Sequence, residues 1–102
     1  DDQEGDRLAR VIGDKRVLFL ANHGVIVVGP SVAQAFDALY YLERAARLQV
    51  MARATGQPFR AIPAGVVEAT RLRMRQDEAS SAGAHFAALK RILGRNEPDY
   101  AA

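Results

Sequence analysis

Apolar positions along the chain follow two different spacings, and each spacing predicts a different kind of element. Between residues 17 and 28, the apolar segments VLFL and VIVV flank the short break ANHG. Continuous apolar runs of this length, rich in β-branched side chains and bounded by turn residues, are typical of strands buried on both faces. Asn and Gly tolerate the positive φ that a tight reversal needs. The pattern therefore predicts a β-hairpin over residues 17–28 with a histidine at its turn.

The other apolar positions recur at the spacing of helices. Ser31 and Gln34 form a capping box at the start of a long helical pattern, and Gly56 ends that pattern. Pro63 suits the beginning of a further helix, and Ser80-Ser81 predicts a break before the last one. Four helices are predicted, over residues 6–13, 31–55, 63–77 and 82–93.

Composition restricts the class of protein. The chain has 102 residues, a formal net charge of +2 and no cysteine, which predicts at most one domain without disulfides or thiolate metal sites. No apolar run approaches the ~20 residues of a membrane span, and the acidic start DDQEGD is unlike a signal peptide. We therefore expect a cytoplasmic protein with neither nucleic acid nor membrane as its partner.

Two strands are too few for the hydrophobicity of this hairpin. A two-stranded ribbon is marginally stable alone, and each apolar strand would leave one edge unpaired. Helices could cover the faces of the ribbon but could not supply hydrogen-bonding partners for its edges. Residues 1–102 are therefore predicted to form a single partial domain, whose missing strands come from an upstream segment or from a partner chain.

One stretch resembles a known family. The segment LANHGVIVVGPSVAQAF at residues 20–36, followed by YYLERA at 40–45, is similar to the C-terminal half of the class II aldolase/adducin family. The ending AHFAALKRIL at residues 84–93 resembles bacterial members more loosely. The resemblance implies an α/β fold with three αβα layers around an antiparallel sheet, in longer proteins that assemble as homotetramers. This chain would supply a terminal hairpin and the C-terminal helices.

The resemblance also implies a divalent metal, usually Zn²⁺, held by three histidines. Two of them belong to a His-x-His pair in the first half of family members, and the third belongs to an Asn-His-Gly turn. Only the turn is present here, so the resemblance assigns the ligand role to His23 alone, with Asn22 and Gly24 shaping the turn. The acid/base residue would lie in the missing N-terminal half, and the substrate-binding residues stay unknown.

Other polar residues have two interpretations each. Glu43 is a candidate acceptor for the N–H of a ligating histidine, but a glutamate on a long helix is more often solvated or paired with a neighbour such as Arg44 or Arg47. Without the family resemblance, a lone histidine such as His23 is more often structural than a ligand. His85 has no partner at ligand spacing and is expected at a surface or an interface.

The resemblance implies a function for the complete protein. It would be a zinc-dependent class II aldolase-type lyase that cleaves or rearranges small keto-sugars or sugar phosphates through a metal-stabilised enediolate. Aldolase, epimerase, dehydratase and decarboxylase reactions are not distinguished, and the 102-residue chain alone is expected to be inactive. Two alternatives stay open, namely an adducin-like binding or assembly module without catalysis and an independent small α/β interaction domain.

Overall fold

The structure, a computed structural model, describes residues 2–101 as five principal elements and a short final turn of helix. The two strands pair antiparallel, so that Val17 lies opposite Val27 and Leu20 opposite Gly24. The first helix contacts the first strand, and the two long helices pack on each other. In chain order the elements are α1 (Asp2–Ile12), β1 (Val17–Leu20), β2 (Gly24–Val27), α2 (Val32–Ala54), α3 (Ala64–Asn96) and a 3-10 helix (Pro98–Ala101).

Local side-chain and backbone chemistry sets the ends of α1 and α2. Gly13, with φ of 52°, follows the last residue of α1 in the left-handed conformation that favours glycine. Before α2, Ser31 Oγ accepts from the Gln34 N–H at 3.2 Å and donates to Gln34 Oε1 at 3.1 Å. Gly56, with φ of 70°, follows the other end of α2. The end of α1 and both ends of α2 therefore lie where the sequence provides a cap.

The predicted break at Ser80-Ser81 is wrong, because α3 runs without interruption from Ala64 to Asn96. Ser80 Oγ donates to the main-chain oxygen of Asp77 at 3.2 Å, so the hydroxyl is satisfied inside the helix instead of disrupting it. One helix therefore replaces those predicted over residues 63–77 and 82–93. Neither this helix nor any other within the described residues is apolar enough, over a sufficient length, to cross a membrane.

The two long helices meet through one half of each, here called the helix junction (residues 36–42 and 78–93). The ring of Phe36 packs edge to face on Phe86, with centroids 5.5 Å apart, and the ring of Tyr40 packs on His85 at 4.6 Å. Ala82 is fully buried. The junction is the place where α2 and α3 are fixed to each other.

The strands are less buried than their sequence predicts. No residue of β1 or β2 is buried, and the Phe19 side chain is 70% exposed. The radius of gyration is 17.1 Å, whereas a compact domain of about 100 residues has a radius of about 13 Å. Within residues 2–101, the expected antiparallel hairpin and helices are present, but two strands do not make the sheet of a three-layer fold.

Candidate metal centre

A three-residue turn, Ala21-Asn22-His23, joins the two strands and presents His23 to solvent. The His23 N–H donates to the Leu20 oxygen at 3.3 Å, which closes the turn. Asn22 has a φ of 62° and Gly24 a φ of 132°. Asn tolerates the left-handed region better than most residues, and side chains are rarely found at the angle of Gly24. The backbone at both positions thus has a conformation that suits its residue type.

The His23 ring is held by the turn itself. Its Nδ1 lies 2.9 Å from the main-chain oxygen of Ala21. Because a carbonyl oxygen can only accept, this hydrogen bond places a proton on Nδ1, and in the neutral imidazole the lone pair is then on Nε2. No hydrogen bond among residues 2–101 engages Nε2. Metal-ligating histidines typically donate their other ring N–H to such an acceptor, so His23 has the tautomer that a ligand needs.

A cavity of about 400 Å³ lies beside the turn, between α1 and β1. Arg7 donates from Nε and Nη2 to the two carboxylate oxygens of Glu4, at 2.8 and 2.6 Å. The hydrogen bond from Arg7 lowers the pKa of Glu4 below its ordinary value, so the exposed pair is fully ionised at neutral pH. Apolar and charged residues share the wall, among them Glu4, Arg7, Leu8, Val11, Phe19 and His23.

Glu43 is not the acceptor for the His23 ring. Its Oε1 lies 3.2 Å from Arg47 Nη2, one helical turn further along α2, and both side chains are exposed. Within the part of the chain that the structure describes, no hydrogen bond or ion pair joins Glu43 to His23. The main-chain oxygen of Ala21, two residues from His23 in the same turn, is the acceptor for its Nδ1, and Glu43 forms the pair with Arg47 that was its other interpretation.

His23 can supply one metal ligand, not a complete site. Among residues 2–101, no three His, Cys, Asp or Glu side chains are grouped closely enough to hold a metal ion. Zinc sites take three or four protein donors. The turn therefore fits a metal as the source of a single imidazole, and the other donors have to lie elsewhere.

His85, for which the sequence predicts a position at a surface or an interface, is half-buried in the helix junction. Its Nδ1 lies 2.6 Å from Asp37 Oδ1, which joins α3 to α2. The sequence contains a signal for this pair, since the acidic residue Asp37 lies between Phe36 and Tyr40, two apolar positions of α2. A carboxylate at such a place needs a partner on the facing element. The spacing within one helix could not show that the partner is 48 residues away.

A second ion pair joins the hairpin to α3. Arg16 Nη2 lies 2.6 Å from Glu78 Oε1, and this hydrogen bond lowers the pKa of Glu78. The pair borders a cavity of about 650 Å³ that also contains Arg73, Asp37 and Asp77. Because both signs of charge line this cavity, it has no marked preference for an anion or a cation.

Comparison with known proteins relates the turn to a family. The family model described as Class II Aldolase and Adducin N-terminal domain matches residues 1–50, which include the whole hairpin. A candidate aldolase class 2 protein of Caulobacter vibrioides is 30% identical over 100 residues, and one of Pseudomonas aeruginosa is 31% identical over 102 residues. The chain belongs to the class II aldolase and adducin family.

The two class II aldolase relatives are much longer than this chain. The alignments cover 97% and 96% of the chain but 39% of each relative. The chain thus spans about two-fifths of the length of the curated relatives that it matches. They align with α3 as well, which lies outside the region matched by the family model. No solved structure matches the chain.

Proposed function

We propose that this chain is part of a metal-dependent class II aldolase-type enzyme that cleaves or rearranges small keto-sugars, including phosphorylated ones. The observation that carries the proposal is the His23 ring, whose Nδ1–H is given to Ala21 while Nε2 has no partner in the described chain. Family membership supports the reaction class, since both relatives are named as candidate class 2 aldolases.

In this proposal, His23 supplies one ligand to Zn²⁺ or another divalent cation. When bound, such a cation provides Lewis-acid chemistry toward the carbonyl and hydroxyl oxygens of a sugar. The chain's own part is to aim the ring, because the Ala21 oxygen keeps the proton on Nδ1 and the backbone at Asn22 and Gly24 holds the turn. The remaining ligands and the acid/base group would come from outside residues 2–101.

The activity would therefore belong to the intact protein, and the 102-residue chain alone would be inactive. The unpaired edges of the hairpin support this, because strands from the rest of the protein or from another copy would complete the sheet. Homotetrameric assembly, cytoplasmic location and action on a sugar phosphate without nucleic acid or membrane stay predictions that accompany the proposal. No observation favours the non-catalytic, adducin-like alternative, since the relatives carry aldolase names.

The test compares the two histidines of this chain in the intact protein. His23→Gln should reduce the bound divalent metal, measured by elemental analysis after purification, and should abolish cleavage of keto-sugar phosphates. His85→Gln is the matched control, because it removes an imidazole that is already paired with Asp37 and should leave the metal content unchanged. Metal retained in full by a folded His23→Gln protein would refute the assignment.

A further inference from the structure

Arg16 ties the open end of the hairpin to α3. It directly precedes β1, and its main-chain oxygen accepts from the Val28 N–H at 2.9 Å, one step beyond the last paired residues of the two strands. Its side chain reaches away from the hairpin, and Nη2 lies 2.6 Å from Oε1 of Glu78 on α3. One residue therefore both closes the hairpin and connects it to a distant helix.

The Arg16–Glu78 pair differs from the other arginine–carboxylate pairs of the described chain. Those pairs join two residues one turn apart on the same helix, with side chains at least 45% exposed, and they are Arg7 with Glu4, Arg47 with Glu43 and Arg71 with Glu68. The side chains of Arg16 and Glu78 are 37% and 28% exposed. Exposed pairs within one helix contribute little to a fold, whereas a shielded pair between two elements restricts how they are oriented.

Cavities, rather than packed side chains, lie between the hairpin and α3. The Arg16–Glu78 pair borders two of them, of about 650 and about 600 Å³. The hairpin packs on the other helices, β1 on α1 and β2 on α2, and within residues 2–101 neither strand contacts α3. The ion pair is thus the direct connection between the hairpin and α3 in this part of the chain.

The length of the hairpin makes the position of its turn sensitive to the position of its base. His23 lies at the end away from Arg16, beyond the four residues of β1. At ~3.3 Å per residue these span about 13 Å, so a tilt of about 5° at the base would move the turn by about 1 Å. Metal–ligand distances stay within about 0.2 Å of their usual values. A metal ligand at the turn therefore needs a fixed base.

We propose that Arg16 and Glu78 are positioning residues for His23, which fix the direction of the hairpin so that the imidazole meets the metal and its other donors. This inference rests on the proposed function, because it takes His23 as a metal ligand. The hydrogen bond from Arg16 lowers the pKa of Glu78, and the charge of Arg75, one turn back on α3, acts in the same direction. The carboxylate is therefore ionised at neutral pH, as the pair requires.

The first experiment measures the affinity of the intact protein for Zn²⁺ by competition with a chromophoric chelator. Arg16→Gln and Glu78→Gln should each weaken binding about tenfold, because the ring is no longer held in place. The double variant should bind no more weakly than the worse single variant, since each residue acts through the other. Arg16→Lys keeps the ion pair and should retain most of the affinity.

The matched control is Glu68→Gln/Arg71→Gln, which removes an ion pair of the same length from within α3 and should leave the affinity unchanged. His23→Gln in the same assay separates this inference from the proposed function. Weaker binding by His23→Gln but not by Arg16→Gln would refute the role of the pair and leave the proposed function standing. Full affinity in both variants would refute both. Losses that multiply in the Arg16→Gln/Glu78→Gln variant would also overturn the pairing.

A distance measurement reports the direction of the hairpin without any metal. Nitroxide side chains replace Phe19 on β1 and Arg91 on α3, both exposed in the described chain, and pulsed electron paramagnetic resonance gives their separation in the metal-free intact protein. Arg16→Gln should shift or broaden the distances by about 1 Å or more, whereas Glu68→Gln/Arg71→Gln should not. An unchanged distribution in the Arg16→Gln variant would overturn the proposal.

Discussion

Helices α2 and α3 each have one packed half and one exposed half. In the junction, Phe36 and Phe86 pack edge to face and Asp37 pairs with His85. In the distal halves of the two helices and the connector between them (residues 43–77, here called the arm), every residue is exposed within the described chain, and Met74 is 66% exposed. The helical backbone nonetheless continues through both halves of each helix. Local sequence therefore favours helix in the arm, whereas the position of the two helices relative to each other depends on the junction.

Local interactions are visible throughout the arm. Arg71 donates to both carboxylate oxygens of Glu68, at 2.8 and 2.6 Å, one turn apart on α3. Residues such as Ala, Leu, Arg, Gln and Met, which favour helix, dominate the distal part of α2. Isolated helices are nevertheless marginal in water, so the arm should be less stable than the junction.

The largest expected effect separates the two halves directly. Phe86→Ala removes the ring that packs on Phe36 and should lower the free energy of unfolding of the intact protein by about 2 kcal/mol, since the site is half-buried. Met74→Ala in the arm should change it by less than about 0.5 kcal/mol. Urea unfolding measures both. Equal losses would mean that the arm is packed as closely as the junction in the intact protein.

A smaller effect separates backbone conformation from packing. Gly24→Ala forces a side chain into a φ of 132° and should destabilise the intact protein by about 1 to 2 kcal/mol. Gly83→Ala is the control, because a Cβ there meets open space on a helix and should stabilise by about 0.5 kcal/mol. Thermal unfolding monitored by circular dichroism gives both values. An unchanged stability of the Gly24→Ala variant in thermal unfolding would show that the turn has other conformations available.

The smallest effect tests whether local capping sets the start of α2. Ser31→Ala removes the acceptor of the Gln34 N–H and should destabilise by about 1 kcal/mol. Ser80→Ala makes the same chemical change in mid-helix and should stay within about 0.5 kcal/mol of the parent. The Ser31→Ala variant should therefore have a lower urea midpoint than the Ser80→Ala variant. The reverse order would contradict the role given to the cap.

Sequence reasoning succeeded where short-range chemistry decides the structure. The glycine after α1, the capping serine before α2 and the polar break of the hairpin are all visible in a few neighbouring residues. The predicted break at Ser80-Ser81 is wrong, because the Ser80 hydroxyl bonds within the helical turn instead of interrupting it. Sequence reasoning also did not find the pair of Asp37 and His85, because partners 48 residues apart depend on which atoms the fold brings within reach. The pair of Glu43 with Arg47 is one of the two interpretations that the sequence allows.

By itself, the sequence determined the hairpin, most helix ends and a family whose Asn-His-Gly turn carries His23, because neighbouring residues interact whatever the rest of the chain does. The hydrogen bond between Ala21 and the His23 ring is local to the turn, whereas only the tertiary structure decided that Asp37 pairs with His85 and that residues 43–77 are exposed within the described chain. These features depend on distances and burial, which no periodicity along a chain records.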